Sequence, residues 1–332
     1  MSEYRGIFGE AVQSLPSSTG TIEGQVWYDS SNNNFKLIAK TGTAAFSTGT
    51  ALPTNRQNAG QAGTQTAAIV AGGQSPSTYN NANSYTYDGS SWTATNSLGT
   101  ARRLAVMMGT QPAALLAGSG TTPPTTGLVA TEEWDGTNWT SGGNMATLRY
   151  GNFSGGTQTQ AVIAGGSGPA TQFDDTEEYN GSSWTTVTNM PANQGNGISG
   201  ADSQTDMYCV SGSPGNLATS VVYDGTNWTA GASLSGDGRR GSGGSLATSS
   251  GPGFITCGET ATVNPITTTE EWNGTAFSSS TACPTATRDQ ANGDNGTGAA
   301  GLVVGGYNTA IANNVFEFTG SGIIETRTIT TS

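Results

Sequence analysis

The hexapeptide Tyr223-Asp224-Gly225-Thr226-Asn227-Trp228 is written again and again along this chain. It returns as Tyr87-Asp88-Gly89-Ser90-Ser91-Trp92, Trp134-Asp135-Gly136-Thr137-Asn138-Trp139 and Tyr179-Asn180-Gly181-Ser182-Ser183-Trp184. Weaker copies are Trp272-Asn273-Gly274-Thr275-Ala276-Phe277 and Phe318-Thr319-Gly320-Ser321-Gly322-Ile323. The closing residues stand at 92, 139, 184, 228, 277 and 323, so the steps are 47, 45, 44, 49 and 46. A period of this size marks one supersecondary unit repeated and stacked, because no single unit can bury its own apolar face.

A second beat runs in phase with the first. AAIVAGG (67–73), AALLAGS (113–119), QAVIAGG (160–166), MYCVSGS (207–213), GFITCGE (253–259) and AGLVVGG (300–306) are short apolar runs closing on small residues. Such runs suit strands buried on both faces. Asp-Gly or Asn-Gly between two aromatic-bearing strands is a hairpin signal, and the type I′ turn is its usual form. Each unit therefore reads as four antiparallel strands, called a to d here. The apolar run is b, and the hexapeptide joins c to d. Gly89, Gly136, Gly181, Gly225 and Gly274, with Trp92, Trp139, Trp184, Trp228 and Phe277, define the units. Four such strands every 46 or so residues make a propeller blade.

An apolar run ending Gly-Gly, then an aromatic, then a Trp at the end of the unit resembles the kelch family over about residues 43–323. The resemblance implies a six-bladed, all-β propeller of four-stranded antiparallel blades, preceded by a short hairpin arm. It departs from the pattern at Gly212-Ser213, Gly258-Glu259, Phe277 and Ile323. Phe46-Ser47-Thr48-Gly49 lines up with Trp139-Thr140-Ser141-Gly142, so the N-terminal strand 44–50 is expected to serve as strand d of the last blade. Closing a ring this way removes a free sheet edge. The competing reading gives that place to 323–329. The expected divisions are an arm over 1–42, a propeller over 43–323 and a tail over 324–332.

Composition narrows function. Charged residues make up 10% of the 332 and the formal charge is −12. An average soluble protein carries roughly 25% charged residues. A nucleic-acid surface needs clustered cations, so none is expected here. No stretch is long and apolar enough to insert in a membrane, and the N-terminal residues lack the pattern of a secretory signal. The three cysteines match no metal spacing and there is no histidine. No cofactor, metal site or catalytic residue is therefore expected.

Two regions hold the candidate binding residues. Strand direction puts the b–c loops and the d–a links on one face of the disc, and the a–b and c–d turns on the other. The b–c loops vary in length, and variable loops on one face of a repeat often mark the binding face. Thr122, Pro123 and Asn308 lie in these loops. Arg56, Arg102, Arg103, Arg149, Arg239, Arg240 and Arg288 fall in the d–a links. One reading makes them a ring of guanidinium groups at the channel mouth, able to hold carboxylate or phosphate groups bidentately. The other pairs each with a carboxylate of a neighbouring blade, from the Glu-Glu pairs 132–133, 177–178 and 270–271. The c–d hexapeptide is also similar to the Asp-box turn of sialidases, but here Asp and Gly are adjacent.

The arm carries the strongest functional hint. GQVWYDSSNNNFKLI (24–38) reads as a hairpin in which Val26 and Tyr28 alternate with Trp27 and, after a Ser/Asn turn, Phe35 and Leu37 alternate with Lys36. It resembles short hairpins near the start of tailed-phage fibre and appendage proteins. That resemblance implies a virion structural protein, not an enzyme. Its arm would dock on other virion proteins, and its propeller would decorate the particle, self-associate in it, or meet a host surface glycan or receptor. A bacterial carbohydrate- or protein-binding module is the alternative, and a sialidase-like glycosidase the third reading.

Overall fold

The computed structural model describes residues 13–14, 26–29, 34–120, 127–169, 171–246, 251–291, 293, 296–297, 300–321 and 323–329. The elements among them are strands and turns, in two compact units. One unit is Ala45–Gly320; the other combines Met1–Ala44 with Ser321–Ser332.

Ala45–Gly320 is a propeller of six four-stranded antiparallel blades. Blade 1 runs Gly60–Thr64 (a), Ala67–Ala71 (b), Ser84–Tyr87 (c) and Trp92–Thr95 (d). Blades 2 to 5 repeat it, with c strands Thr131–Trp134, Thr176–Tyr179, Ser220–Tyr223 and Thr269–Trp272. Blade 6 takes a, b and c from Gly296–Thr297, Ala300–Val304 and Val315–Thr319, and its outer strand from Ala45–Thr48. The pairing is antiparallel, with Phe318 opposite Phe46 and Thr319 opposite Ala45. N-terminal closure is thus the observed one. Strands a pack against each other from blade to blade and return from blade 6 to blade 1.

The core lies between blades. Along strand b of blade 1, Ala68 and Val70 point into the cluster shared with blade 6, while Ile69 and Ala71 point into the one shared with blade 2. Blade 2 repeats the alternation, Ala114 and Leu116 facing blade 1 and Leu115 and Ala117 facing blade 3. Two-sided burial explains why these runs are apolar throughout, with no alternation of polar residues. The three cysteines are free and buried, and Cys209 packs in the cluster between blades 3 and 4.

Each c–d hairpin closes on an aromatic pair. Tyr87–Trp92, Trp134–Trp139, Tyr179–Trp184, Tyr223–Trp228 and Trp272–Phe277 have ring centroids 4.7–5.3 Å apart. Phe318–Phe46 completes the set at 4.9 Å, so Phe46, and not Ile323, ends the sixth copy. In the turns, the side-chain oxygen of Asp224 accepts the N–H groups of Thr226 (2.8 Å) and Asn227 (2.7 Å). Asp88, Asp135, Asn180 and Asn273 do the same. The glycine of each turn, Gly89 to Gly274, has φ of 88–91° and is alone in the turn in doing so. One positive φ, at the first central position, is the type II′ requirement; the expected type I′ turn needs two.

Polar side chains stitch neighbouring blades. The Tyr87 phenol donates to Glu317 of blade 6 (2.8 Å), Tyr179 to Glu133 of blade 2 and Tyr223 to Glu178 of blade 3 (2.9 Å). Gln111, Gln158 and Gln204, in the a–b turns, each donate to two carbonyls of the preceding blade. Burial first, and the carboxylate bond next, push Tyr87 and Tyr179 each up to about 12 from 10.0; Tyr223 is raised by the same causes. A phenol raised on folding contributes stability that is complete below its unfolded value, near 10. That contribution is lost as the pH climbs through the folded value. The urea midpoint is therefore expected to fall between about pH 10 and 12, and to fall less when all three tyrosines are replaced by phenylalanine. Equal slopes for the two proteins would remove these phenols as the cause.

The terminal unit is a four-stranded sheet in the order Gln13–Ser14, Val26–Asp29, Asn34–Thr41, Ile323–Ile329. The hairpin is present, with Val26 opposite Leu37, Trp27 opposite Lys36 and Tyr28 opposite Phe35. Tyr28 and Phe35 meet edge-on at 5.2 Å. Of Val26, Trp27 and Leu37 the backbone alone is described. The C-terminal stretch is a strand, antiparallel to Asn34–Thr41 from Ile323 opposite Thr41 to Ile329 opposite Phe35. One hairpin is marginal in water, and this added strand gives it a partner.

Candidate functional site: the axial mouth of the propeller

Every d–a link ends in the same backbone device. Asn58, Leu104, Gly151, Asn196, Gly241 and Asp289 all have φ between 54 and 60°. Their N–H groups donate around a closed circle: Leu104 to Asn58, Gly151 to Leu104, Asn196 to Gly151, Gly241 to Asn196, Asp289 to Gly241, and Asn58 back to Asp289, at 2.6–3.0 Å. Gly, Asn and Asp tolerate this left-handed conformation. Leu104 does not, and holds about 1–3 kcal/mol of local strain that the ring maintains. The circle fixes the mouth of the axial channel on the face of the b–c loops.

The preceding residue in each link bridges to a residue of the b–c loop: Gln57 to Gln74, Arg103 to Gly120, Tyr150 to Ser167, Gly195 to Ser213, Arg240 to Glu259, and Arg288 to Tyr307. The backbone is six-fold repeated, whereas the side chains are not: three of the six link residues are Arg, and the others are Gln57, Tyr150 and Gly195. A cavity of about 260 Å³ opens inside this rim, lined by residues of all six blades that include Arg103, Tyr150, Arg240, Glu259, Arg288 and Asp289.

Electrostatics divide the arginines into two sets. Arg102, Arg149 and Arg239 are buried, and each meets the first Glu of the c strand (Glu132, Glu177, Glu270) at 2.5 Å. That partner belongs to the blade the link leads into, not to a neighbouring blade as the sequence suggested. From the d–a link the guanidinium reaches past the end of strand b, where Arg102 also donates to the Ala130 carbonyl (2.8 Å). Burial pulls these guanidinium pKa values down and the glutamates oppose it. Arg56 is also buried; it donates to the Gly72 carbonyl and Thr54 hydroxyl and lies 5.8 Å over Tyr85, which stands where blades 2, 3 and 5 have Glu. In blade 4 both charges are replaced, by Gln194 and Val221. These four arginines are thus structural and present no guanidinium ring to the channel.

Arg103, Arg240 and Arg288 form the second set and do line the mouth. Arg240 Nε lies 2.5 Å from Glu259, which is also 3.6 Å from Arg288, and Arg288 Nη1 is 2.7 Å from Asp289. Arg103 stacks over the Tyr79 ring at 4.2 Å and donates to its hydroxyl. Arg288 stacks over Tyr307 at 5.0 Å. Burial raises the Asp289 pKa, and the Arg288 guanidinium works against that rise. Of the seven candidate arginines, Arg103, Arg240 and Arg288 are at the cavity. Asn308 lies beside Tyr307 in the b–c loop of blade 6, its N–H donating to Ala310. Thr122 and Pro123 lie outside the described residues. Asn58, Tyr150, Asn196, Glu259 and Asp289 escaped the sequence reading; the doubled arginines 102–103 and 239–240 were the available signal for a second set.

No protein-family model and no curated protein matches the chain. Among solved structures, one described as "Structure of YjhT" is similar with a TM-score of 0.63 at 12% identity, over 85% of this chain and 97% of that one. A likeness at that identity is one of fold, and the chain is a six-bladed β-propeller.

Proposed function

We propose that this chain is a display protein of a tailed-phage particle. Its terminal sheet docks on other virion proteins, and its propeller presents the axial mouth to a glycan or protein of the host surface. The observation that carries the reading is the division of the chain, in which both termini build one small sheet unit and the propeller is a second, complete body. The hairpin pattern at 24–38 supports the assignment to phage appendages. A binding role, not a catalytic one, is favoured because both acidic residues of the cavity, Glu259 and Asp289, are held by arginines.

The axial mouth by itself would equally suit a bacterial binding module free of any particle. Peptide mass spectrometry on purified particles, against uninfected cells, separates the two. Stoichiometric peptides from 56–102 and 149–239 in the particle are expected. Their absence there, with abundance in uninfected cells, would leave the free module as the reading.

A further inference from the structure

We propose that the axial cavity recognises a carboxylate-bearing sugar, with its carboxylate on Arg103 and its hydroxyl groups on Tyr150, Asn58 and Asn196. The proposal rests on the axial mouth being the presented surface, and holds whether or not the terminal unit docks in a particle.

Charge gives the first argument. Arg103, Arg240 and Arg288 face Glu259 and Asp289, so the rim has one positive charge in excess on a chain of formal charge −12. An excess of one suits a monoanion, and the two resident carboxylates oppose a phosphate dianion.

The second argument is Arg103 itself. Arg102, Arg149 and Arg239 have carboxylate partners, as do Arg240 and Arg288. Arg103 has none among the described residues, and its buried Nε has no hydrogen-bond partner. Its plane is held by stacking on Tyr79. A guanidinium fork fixed in this way loses little freedom on taking a carboxylate bidentately, and stacking on an aromatic face is a habit of Arg that Lys does not share.

Size and polarity complete the case. The cavity of about 260 Å³ is below the roughly 300 Å³ at which pockets for drug-sized ligands begin, so it suits one sugar unit. Its neutral polar groups come from separate blades. The Asn58 amide has no side-chain partner among the described residues, and the Tyr150 hydroxyl, which donates to Gly168 at 3.2 Å, keeps its acceptor capacity.

Titration calorimetry on the full chain at low salt tests this, with D-glucuronate, D-galacturonate and D-mannuronate as probes and D-glucose and inorganic phosphate as comparisons. At least one uronate is expected to bind at least tenfold more tightly than either comparison. Arg103→Gln should weaken that binding at least tenfold with the thermal midpoint unchanged. If that variant melts early, the half-exposed Arg240→Gln is expected to weaken binding severalfold. Failure of all three uronates, parity with glucose, tighter binding of phosphate, or unchanged affinity in a folded Arg103→Gln or Arg240→Gln protein would overturn the proposal.

Discussion

Replacing Arg149 by glutamine is expected to destabilise the propeller by about 3–5 kcal/mol, the usual cost of stranding one member of a buried ion pair. Arg149 and Glu177 have side chains 0% exposed. Glu177 also accepts the N–H groups of Ala146 (2.7 Å) and Thr147 (3.3 Å). Arg149 also donates to the Gly165 and Asp175 carbonyls. Without the guanidinium, Glu177 must stay charged in an apolar wall or take up a proton, and either is costly. The chain supplies its own control. Blade 4 has Gln194 and Val221 at these places, and Gln194 donates to the Ser211 carbonyl at 2.6 Å. Glu177→Val added to Arg149→Gln copies that neutral pair and is expected to restore most of the loss. Urea midpoints of the three proteins decide it. A double variant no more stable than Arg149→Gln would show that the cost is not the stranded carboxylate. By contrast, Arg240 is 49% exposed, and surface pairs contribute about 0–1 kcal/mol.

Gly200→Ala is expected to cost about 3 kcal/mol or more, the upper end for overpacking, because the obstacle is backbone. Gly200 lies in strand a of blade 4, Ile198–Gly200, and a Cβ there would run into the Leu246 carbonyl of strand a in blade 5. Its φ is not in the left-handed region, so space and not dihedral strain sets the cost. Strands a converge on the axis, and none can retreat without moving its neighbour. Gly60→Ala in strand a of blade 1 is the comparison. Its Cβ would meet the end of the Leu116 side chain, which can change rotamer, so a smaller loss is expected. Thermal midpoints measure both, and equal losses would mean that inner strands shift more freely than this packing implies.

Much of the propeller was legible because repetition is a local signal. The period fixed the blades, the apolar runs fixed strands b, and the register of Phe46 against Trp139 identified the closing strand. The Glu-Glu pairs pointed to partners for the buried arginines, since charge that recurs with the repeat has a place in the repeat. Gln65, Gln111, Gln158 and Gln204, spaced 46, 47 and 46, were an equally regular signal of the blade-to-blade stitching that went unread.

What the sequence by itself determined, then, is the architecture of Ala45–Gly320: local hairpins and two-faced strands follow from residue order alone. The tertiary structure decided the rest. Arg102 and Arg103 are adjacent and chemically identical, yet one is buried against Glu132 and the other opens on the axis. The reason is that neighbouring residues of an extended link point to opposite sides, and the left-handed residue that follows anchors which side faces the channel. The pairing of Ile323–Ile329 with Asn34–Thr41 was equally invisible, because β pairing between segments nearly 300 residues apart leaves no periodic trace.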